Sequence, residues 1–191
     1  MARGAVPADE AFERLRALPY ENVGVARVDH HRGIRQGIPE VIFGEGKTAD
    51  QIVAIARSMR RAGSGVLVTR LDGAKLRLLR RRLRGAVAHE AARCLVVRDG
   101  KPRISGKGTV LVVTAGTSDI PVAEEAAVTA EFLGNRVKRL FDVGVAGIHR
   151  LLVKQETLRS ARVLVVVAGM EGALASVVGG LTDKPVIAVP A

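Results

Sequence analysis

Residues 109–114, Thr-Val-Leu-Val-Val-Thr, form a short β-branched apolar run of the kind that builds a strand covered on both faces. The chain then places Gly116, Thr117, Ser118 and Asp119 before Ile120-Pro121. Two hydroxyls and a carboxylate beside a glycine can hold the polar groups of a small ligand, since glycine lets backbone approach it. Amide N–H groups opening a following helix add affinity for an anion. Two further stretches have the same make-up: Asp142–Gly147, with His149 and Arg150 just beyond, and Ala168-Gly169-Met170-Glu171-Gly172. Glu171 has apolar neighbours, and partial burial there would raise its pKa into the range useful for a general base. Each stretch has a plainer reading beside this one. Ser118 or Asp119 can cap a helix, Glu124, Glu125 and Glu171 can complement helix N-termini, and His149 can sit on a helix surface.

A second polar group lies near the start: Asp29-His30-His31-Arg32 and, three residues on, Arg35. Arginine forks suit phosphate oxygens. The paired histidines raise metal binding, but on a strand adjacent side chains face opposite ways, and zinc needs three or four converging ligands. No metal is therefore expected. The run 75–85, KLRLLRRRLRG, sets Leu76, Leu79 and Leu83 as an apolar stripe beneath Arg77, Arg80, Arg81 and Arg84, which reads first as a solvated basic face.

The elements that must position these residues follow from periodicity and breakers. The first half reads as α+β: a helix over 8–18, extended pieces at 23–28 and 40–43, and a helix from Thr48 to about Arg61. A strand at 66–69, a basic helix over 72–83 and a strand at 93–97 follow. Gly, Pro and charge crowd residues 98–107, which places a boundary there and gives domains 1–104 and 105–191. The second half alternates strand and helix: strands at 110–114, 137–141, 163–167 and 186–189, helices over 120–133, 147–158 and up to 178. Such alternation implies right-handed crossovers and a parallel, doubly wound α/β sheet. Ligands of these sheets bind beyond the carboxyl ends of the strands, where all three polar stretches would meet.

Composition limits the function classes. With 191 residues, 48% hydrophobic and 26% charged, the chain can bury a core, and no apolar run approaches the ~20 residues that span a bilayer. The amino terminus lacks an apolar secretory segment, so a cytoplasmic protein without a membrane partner is expected. The single Cys94 excludes an internal disulfide and a cysteine-cluster metal site, and on a predicted core strand it reads as structural. Residues 1–104 carry 21 Lys and Arg against 11 Asp and Glu, and residues 105–191 carry 9 against 8, so nearly all of the +11 net charge falls in the first half. That half attracts anions, but with only Phe12, Tyr20 and Phe43 for stacking, nucleic acid is not an expected partner.

Thr117-Ser118-Asp119-Ile120-Pro121-Val122 resembles the Ser-Asp-x-Pro loop of aminoimidazole ribonucleotide carboxylases, and residues 163–169 with 184–190 are similar to the last strands of that fold. A fuller match is to the LarB family of nickel-pincer cofactor biosynthesis. It runs through Val28-Asp29-His30-His31-Arg32, Arg35-Gln36-Gly37-Ile38-Pro39-Glu40 and Phe43-Gly44-Glu45-Gly46-Lys47-Thr48. It continues in residues 114–122, in Asp142-Val143-Gly144-Val145-Ala146-Gly147-Ile148-His149-Arg150, and in Ala168-Gly169-Met170-Glu171-Gly172-Ala173-Leu174. The resemblance implies a flavodoxin-like second domain of the aminoimidazole ribonucleotide carboxylase type behind a small α+β domain. The activity it implies is carboxylation of the pyridinium ring of nicotinic acid adenine dinucleotide, with hydrolysis of the phosphoanhydride and carbon dioxide as co-substrate, and without a bound cofactor.

In that chemistry a nucleophile adds to the electron-poor ring, the resulting enamine attacks carbon dioxide, a base removes the ring proton and the nucleophile leaves. The resemblance makes Glu171 the candidate base, with Ser118 and Asp119 positioning ribose, phosphate or carboxylate. Gly116, Thr117, His149, Arg150, Gly169, Met170, Gly172, Asp29, Arg32 and Arg35 are the expected substrate contacts. Family members assemble into oligomers, so a homo-oligomer is expected. The family's nucleophilic thiol lies in a glycine-rich segment after the Val-Pro motif matched by Val189-Pro190. The chain ends at Ala191 and Cys94 does not match that thiol, so a truncated sheet with impaired carboxylation is expected. Two other readings remain: an aminoimidazole ribonucleotide carboxylase or mutase, which needs no thiol, and a nucleotide- or nucleic-acid-binding module without catalysis.

Overall fold

The computed structural model describes Pro7, Asp9, Glu10, Phe12, residues 20–100 and residues 103–191. Most of the helix expected over 8–18 lies outside the described residues. The chain divides into two compact units, one of residues up to 88 with 95–99 and one of residues 89–94 with 100–191.

The first unit is α+β. Residues 23–28 were expected to be extended, but the chain folds there into a hairpin. Strand β1 (Glu21–Asn22) pairs antiparallel with β2 (Arg27–Val28). Gly24 takes φ +82°, where L side chains are disfavoured, and its N–H donates to the Asn22 side chain at 2.9 Å, which is what turns the chain. Helix α1 (Arg32–Gln36) follows, capped by Gly37 at φ 72°. His30 and His31 therefore lie in a turn leading into α1 rather than on a strand. After β3 (Ile42–Phe43), helix α2 (Ala49–Arg61) opens with a reciprocal cap. Thr48 Oγ1 accepts the Gln51 N–H, and Gln51 Oε1 accepts the Thr48 N–H.

Strand β4 (Val66–Thr69) and helix α3 (Gly73–Arg82), capped by Asp72, come next. Strand β5 (Ala86–His89) carries no expectation from sequence, and β6 (Cys94–Val97) starts one residue late because Arg93 takes φ +52°. The sheet order is β3-β4-β6-β5, with β4 parallel to β3 and antiparallel to β6. Ile52, Ile55, Ala56 and Met59 of α2 and Leu76 and Leu79 of α3 pack on Val66 and Val68 in one core. Cys94 is fully buried, and its thiol donates to the Ala92 carbonyl.

The second unit is a four-stranded parallel sheet in the order β10-β9-β7-β8, formed by β7 (Thr109–Thr114), β8 (Arg136–Leu140), β9 (Val163–Ala168) and β10 (Val186–Pro190). Side chains alternate across it with period two. Leu111, Val113, Leu164 and Val166 pack with Leu151, Leu158, Leu174 and Val178 on one face, while Val112 and Val167 pack with Ala123 and Ala127 on the other. Helix α4 (Ile120–Phe132) thus covers one face, and α5 (Ile148–Leu152), α6 (Gln155–Ser160) and α7 (Ala173–Leu181) the opposite one. The chain winds from β7 out to β8, then crosses back past β7 to β9 and β10. That reversal is the doubly wound, flavodoxin-like arrangement of the aminoimidazole ribonucleotide carboxylase fold.

One helix was expected over 147–158, and two short ones form. The stripe Ile148, Leu151, Leu152 meets Gln155 one turn on, and the chain turns at Val153-Lys154 before burying Leu158.

Candidate functional site

Reversal of winding direction opens a crevice at the carboxyl ends of β7 and β9, because the connections leaving those strands go opposite ways. The loops after β7, β8 and β9 all leave from this edge, and specific contacts tie them together. Thr114, at the end of β7, is fully buried. Its Oγ1 accepts the Asp142 N–H at 3.0 Å and its carbonyl accepts the Val143 N–H at 3.1 Å. Gly144 runs so close to β7's loop that a Cβ there would sit 2.8 Å from the Ala115 carbonyl oxygen. A Cβ at Gly169 would sit 3.5 Å from Asp119 Oδ1 and 2.9 Å from the Ala191 carbonyl oxygen. The backbone of each loop therefore reaches the next.

Within the first loop, residues 117–119 form one turn of 3₁₀ helix that runs directly into α4. Asp119 is buried, and its Oδ2 accepts the Gly116 N–H at 2.8 Å while its own N–H reaches the Gly116 carbonyl. Of the two capping readings, Asp119 closes the loop on itself and does not cap α4. Thr117 and Ser118 are exposed on the rim and Gly116 is half-buried.

The third loop presents Met170 fully exposed at φ +55° and Gly172 at φ +66°. Two left-handed residues flanking one position push Glu171 out at the tip of the loop. Glu171 is exposed, so the partial burial expected of it is missing from the single chain, because nothing from α7 or β9 folds over this tip. In the second loop Arg150 is half-buried and His149 is exposed. Arg150 Nη1 is held by Asp142 Oδ2 at 2.8 Å, with Asp142 in the left-handed region at φ +58°. The guanidinium lies over Gly147, whose missing Cβ leaves the room: a Cβ there would be 2.7 Å from Arg150 Nε. The rim so formed is polar, with the exposed carboxylates of Asp142 and Glu171, the hydroxyls of Thr117 and Ser118 and the Arg150 guanidinium.

Asp29, Arg32 and Arg35 form their own arrangement in the first unit. Arg35 Nη2 donates to Asp29 Oδ2 at 2.7 Å, the second Asp29 oxygen accepts the His31 N–H at 3.0 Å, and the Asp29 N–H donates to Glu40 Oε2 at 2.7 Å. The Arg35 guanidinium holds the Asp29 carboxyl below its ordinary range. Arg32 Nε donates to Gln36 within α1. Among the described residues no group of three or more His, Cys, Asp and Glu could hold a metal ion, and no helix is long and apolar enough to cross a membrane. A surface concavity lined by Arg159, residues 180–182, Asp183 and Lys184 lies at the other end of the second sheet, where the chain enters β10, and is separate from the rim.

Sequence reasoning gave no role to Thr114, Glu21, Glu40 or Ser58, all of which carry polar contacts here. Thr114 reads as the last β-branched residue of a strand. Ser58 betrays itself only by falling on the buried stripe of α2, where a hydroxyl needs a partner.

Comparison with known proteins now bears on this geometry. A family model described as the LarB/PurE-like N-terminal domain matches residues 20–99, and one described as AIR carboxylase matches residues 109–191. The chain is also 34% identical, over 195 aligned positions, to an uncharacterized protein of Methanocaldococcus jannaschii, with 98% of this chain and 76% of that protein covered. With both domains present in this order, and the second built as a doubly wound sheet whose loops meet at one rim, the chain belongs to the LarB-like family of carboxylases, a LarB/PurE-like domain followed by an AIR carboxylase domain.

Proposed function

We propose that the protein carboxylates the pyridinium ring of nicotinic acid adenine dinucleotide and hydrolyses its phosphoanhydride, as a step in making a nickel-pincer nucleotide. The observation that supports this most is the meeting of three loops at the crevice between β7 and β9, with Gly144 and Gly169 closing the gaps between them. The pyridinium lies at this rim. A nucleophile adds to the ring and turns the cation into a neutral enamine, whose carbon forms the new bond to carbon dioxide. Glu171 then takes the proton from that carbon, and the nucleophile leaves with its electron pair as aromaticity returns. Ser118 holds the ribose or the new carboxylate and Asp119 fixes the loop that presents it through the Gly116 N–H, with Gly116, Thr117, Gly169, Met170 and Gly172 lining the approach. His149 and Arg150 orient the substrate from the second loop. Arg32 and Arg35 of the first unit carry forks that suit phosphate oxygens, and Asp29 holds the Arg35 guanidinium. Cys94 is fully buried and is not the adding nucleophile.

The test uses the protein expressed from its full reading frame, incubated with nicotinic acid adenine dinucleotide and bicarbonate. Mass spectrometry is expected to find a dicarboxylated mononucleotide and AMP. Absence of both, with the protein folded, removes the proposal. A second reading is favoured by the AIR carboxylase match over 109–191: turnover of carboxyaminoimidazole ribonucleotide. Consumption of that substrate in place of the dinucleotide establishes it.

A further inference from the structure

Helix α1 carries both of its arginines without an apolar anchor. None of its five residues is buried, and Ile34 is 73% exposed. A helix this short does not hold itself in water, because fixing its first turn costs more than its few hydrogen bonds return. Something outside the helix must orient it. The residues just before it supply the attachment. The His30 side chain is only 7% exposed, and its Nε2 lies 3.1 Å from Glu21 Oε2 and 3.2 Å from Ser58 Oγ.

Ser58, wholly buried on α2, donates its hydroxyl proton to Glu21 Oε2 at 2.5 Å, and Arg61 Nη2 binds Glu21 Oε1 at 2.8 Å. The knot joins strand β1, the turn before α1, and α2. It also sets the neighbouring residue: Asp29, whose N–H is held by Glu40 and whose carboxylate grips Arg35.

We infer that Glu21, His30 and Ser58 are positioning residues that fix the turn from which α1 departs, and so the direction in which Arg32 and Arg35 meet a phosphate-bearing ligand. This rests on the reading above that these arginines take the substrate's phosphates. The physical reason for the arrangement is directional. An apolar contact would hold α1 with latitude, whereas hydrogen bonds to one half-buried carboxylate impose an angle as well as a distance. Glu21 suits the task because the Ser58 hydroxyl, then His30 and Arg61, hold its pKa down to about 2, so it stays an acceptor at any working pH.

The experiment pairs two readouts on the whole protein: hydrogen–deuterium exchange across residues 32–36, and calorimetric titration with nicotinic acid adenine dinucleotide. Ser58→Ala is expected to speed exchange at 32–36 and raise Kd about tenfold, a loss typical of a charge-assisted bond, while α2 keeps its protection. Glu21→Gln, which leaves the apolar core untouched, is expected to move both readouts the same way, and Ser58→Thr to restore them. Ser58→Ala added to the double variant Arg32→Ala, Arg35→Ala is expected to bind no worse than that double variant alone, because Ser58 acts through those two side chains. An additive loss from Ser58→Ala in that background overturns the inference. So does wild-type exchange at 32–36 in both Ser58→Ala and Glu21→Gln. If the wild-type protein binds no dinucleotide, the functional reading fails by itself, and exchange at 32–36 still decides whether the knot orients α1.

Discussion

At the scale of single residues, the rim depends on which of several similar side chains points where. Ser118 and Asp119 are adjacent and equally eligible from sequence, yet the 3₁₀ turn buries Asp119 against the Gly116 N–H and leaves Ser118 outside. Glu171 was legible as the one acid in its loop, but its exposure was not, since that depends on φ angles at Met170 and Gly172. In the proposed reaction substrate must supply the desolvation that a general base needs. Glu171→Gln is therefore expected to lower the carboxylation rate about 10²- to 10⁴-fold, the usual worth of a positioned base, with dinucleotide affinity retained. Stopped-assay rates and titration together check this. Glu21 offers a test in pH. The Ser58 hydroxyl, His30 and Arg61 hold its folded pKa down to about 2, below the ordinary carboxyl value of 4.5, so its contribution to stability is complete above about pH 4.5 and is lost as pH falls towards 2. Denaturant midpoints measured from pH 6 to pH 3 are expected to fall less steeply in Glu21→Gln than in the wild type.

At the scale of elements, the strands and helices that carry the loops were legible because each has its own periodicity or cap. Thr48 with Gln51, Asp72 ahead of α3 and the β-branched runs of β7 and β9 are local signals. The elements that escaped have weak ones. Strand β5 is four residues, Ala-Val-Ala-His, and exists because β6 offers an edge to pair with. The 23–28 segment looks extended until the Asn22 side chain and Gly24 close a turn. How loops approach one another belongs to this scale too. Gly144→Ala would drive a methyl to 2.8 Å from the Ala115 carbonyl oxygen, which is backbone and cannot swing aside. The substitution is expected to destabilise the second unit by about 1–3 kcal/mol and to weaken ligand binding at the rim, read by thermal melts and titration. Gly179→Ala, with open space around it, is the control and is expected to melt at or above the wild-type temperature.

At the scale of the whole molecule, the second sheet is covered unequally. Helices α5, α6 and α7 cover one face, while α4 alone lies on the other, where it packs on β7, β8 and β9. Among the described residues strand β10 pairs only with β9, and Ile187 within it is 53% exposed. An uncovered apolar edge of this kind is a surface for self-association. We expect a homo-oligomer by light scattering after size exclusion, and Ile187→Asp is expected to reduce its mass. A monomeric wild-type protein at assay concentration would count against that expectation.

Local sequence was enough for the mixed α/β class, the parallel winding of the second half and the make-up of the three polar loops. These follow from alternation, caps and breakers that act over ten or so residues. Tertiary structure alone decided that Asp119 is buried and Glu171 is not, that Thr114 ties the second loop to β7, and that Ser58 and Glu21 hold the turn before α1. The last two depend on groups brought together from distant positions, Glu21 and Ser58 being 37 residues apart, and no local pattern encodes which buried hydroxyl will meet which carboxylate.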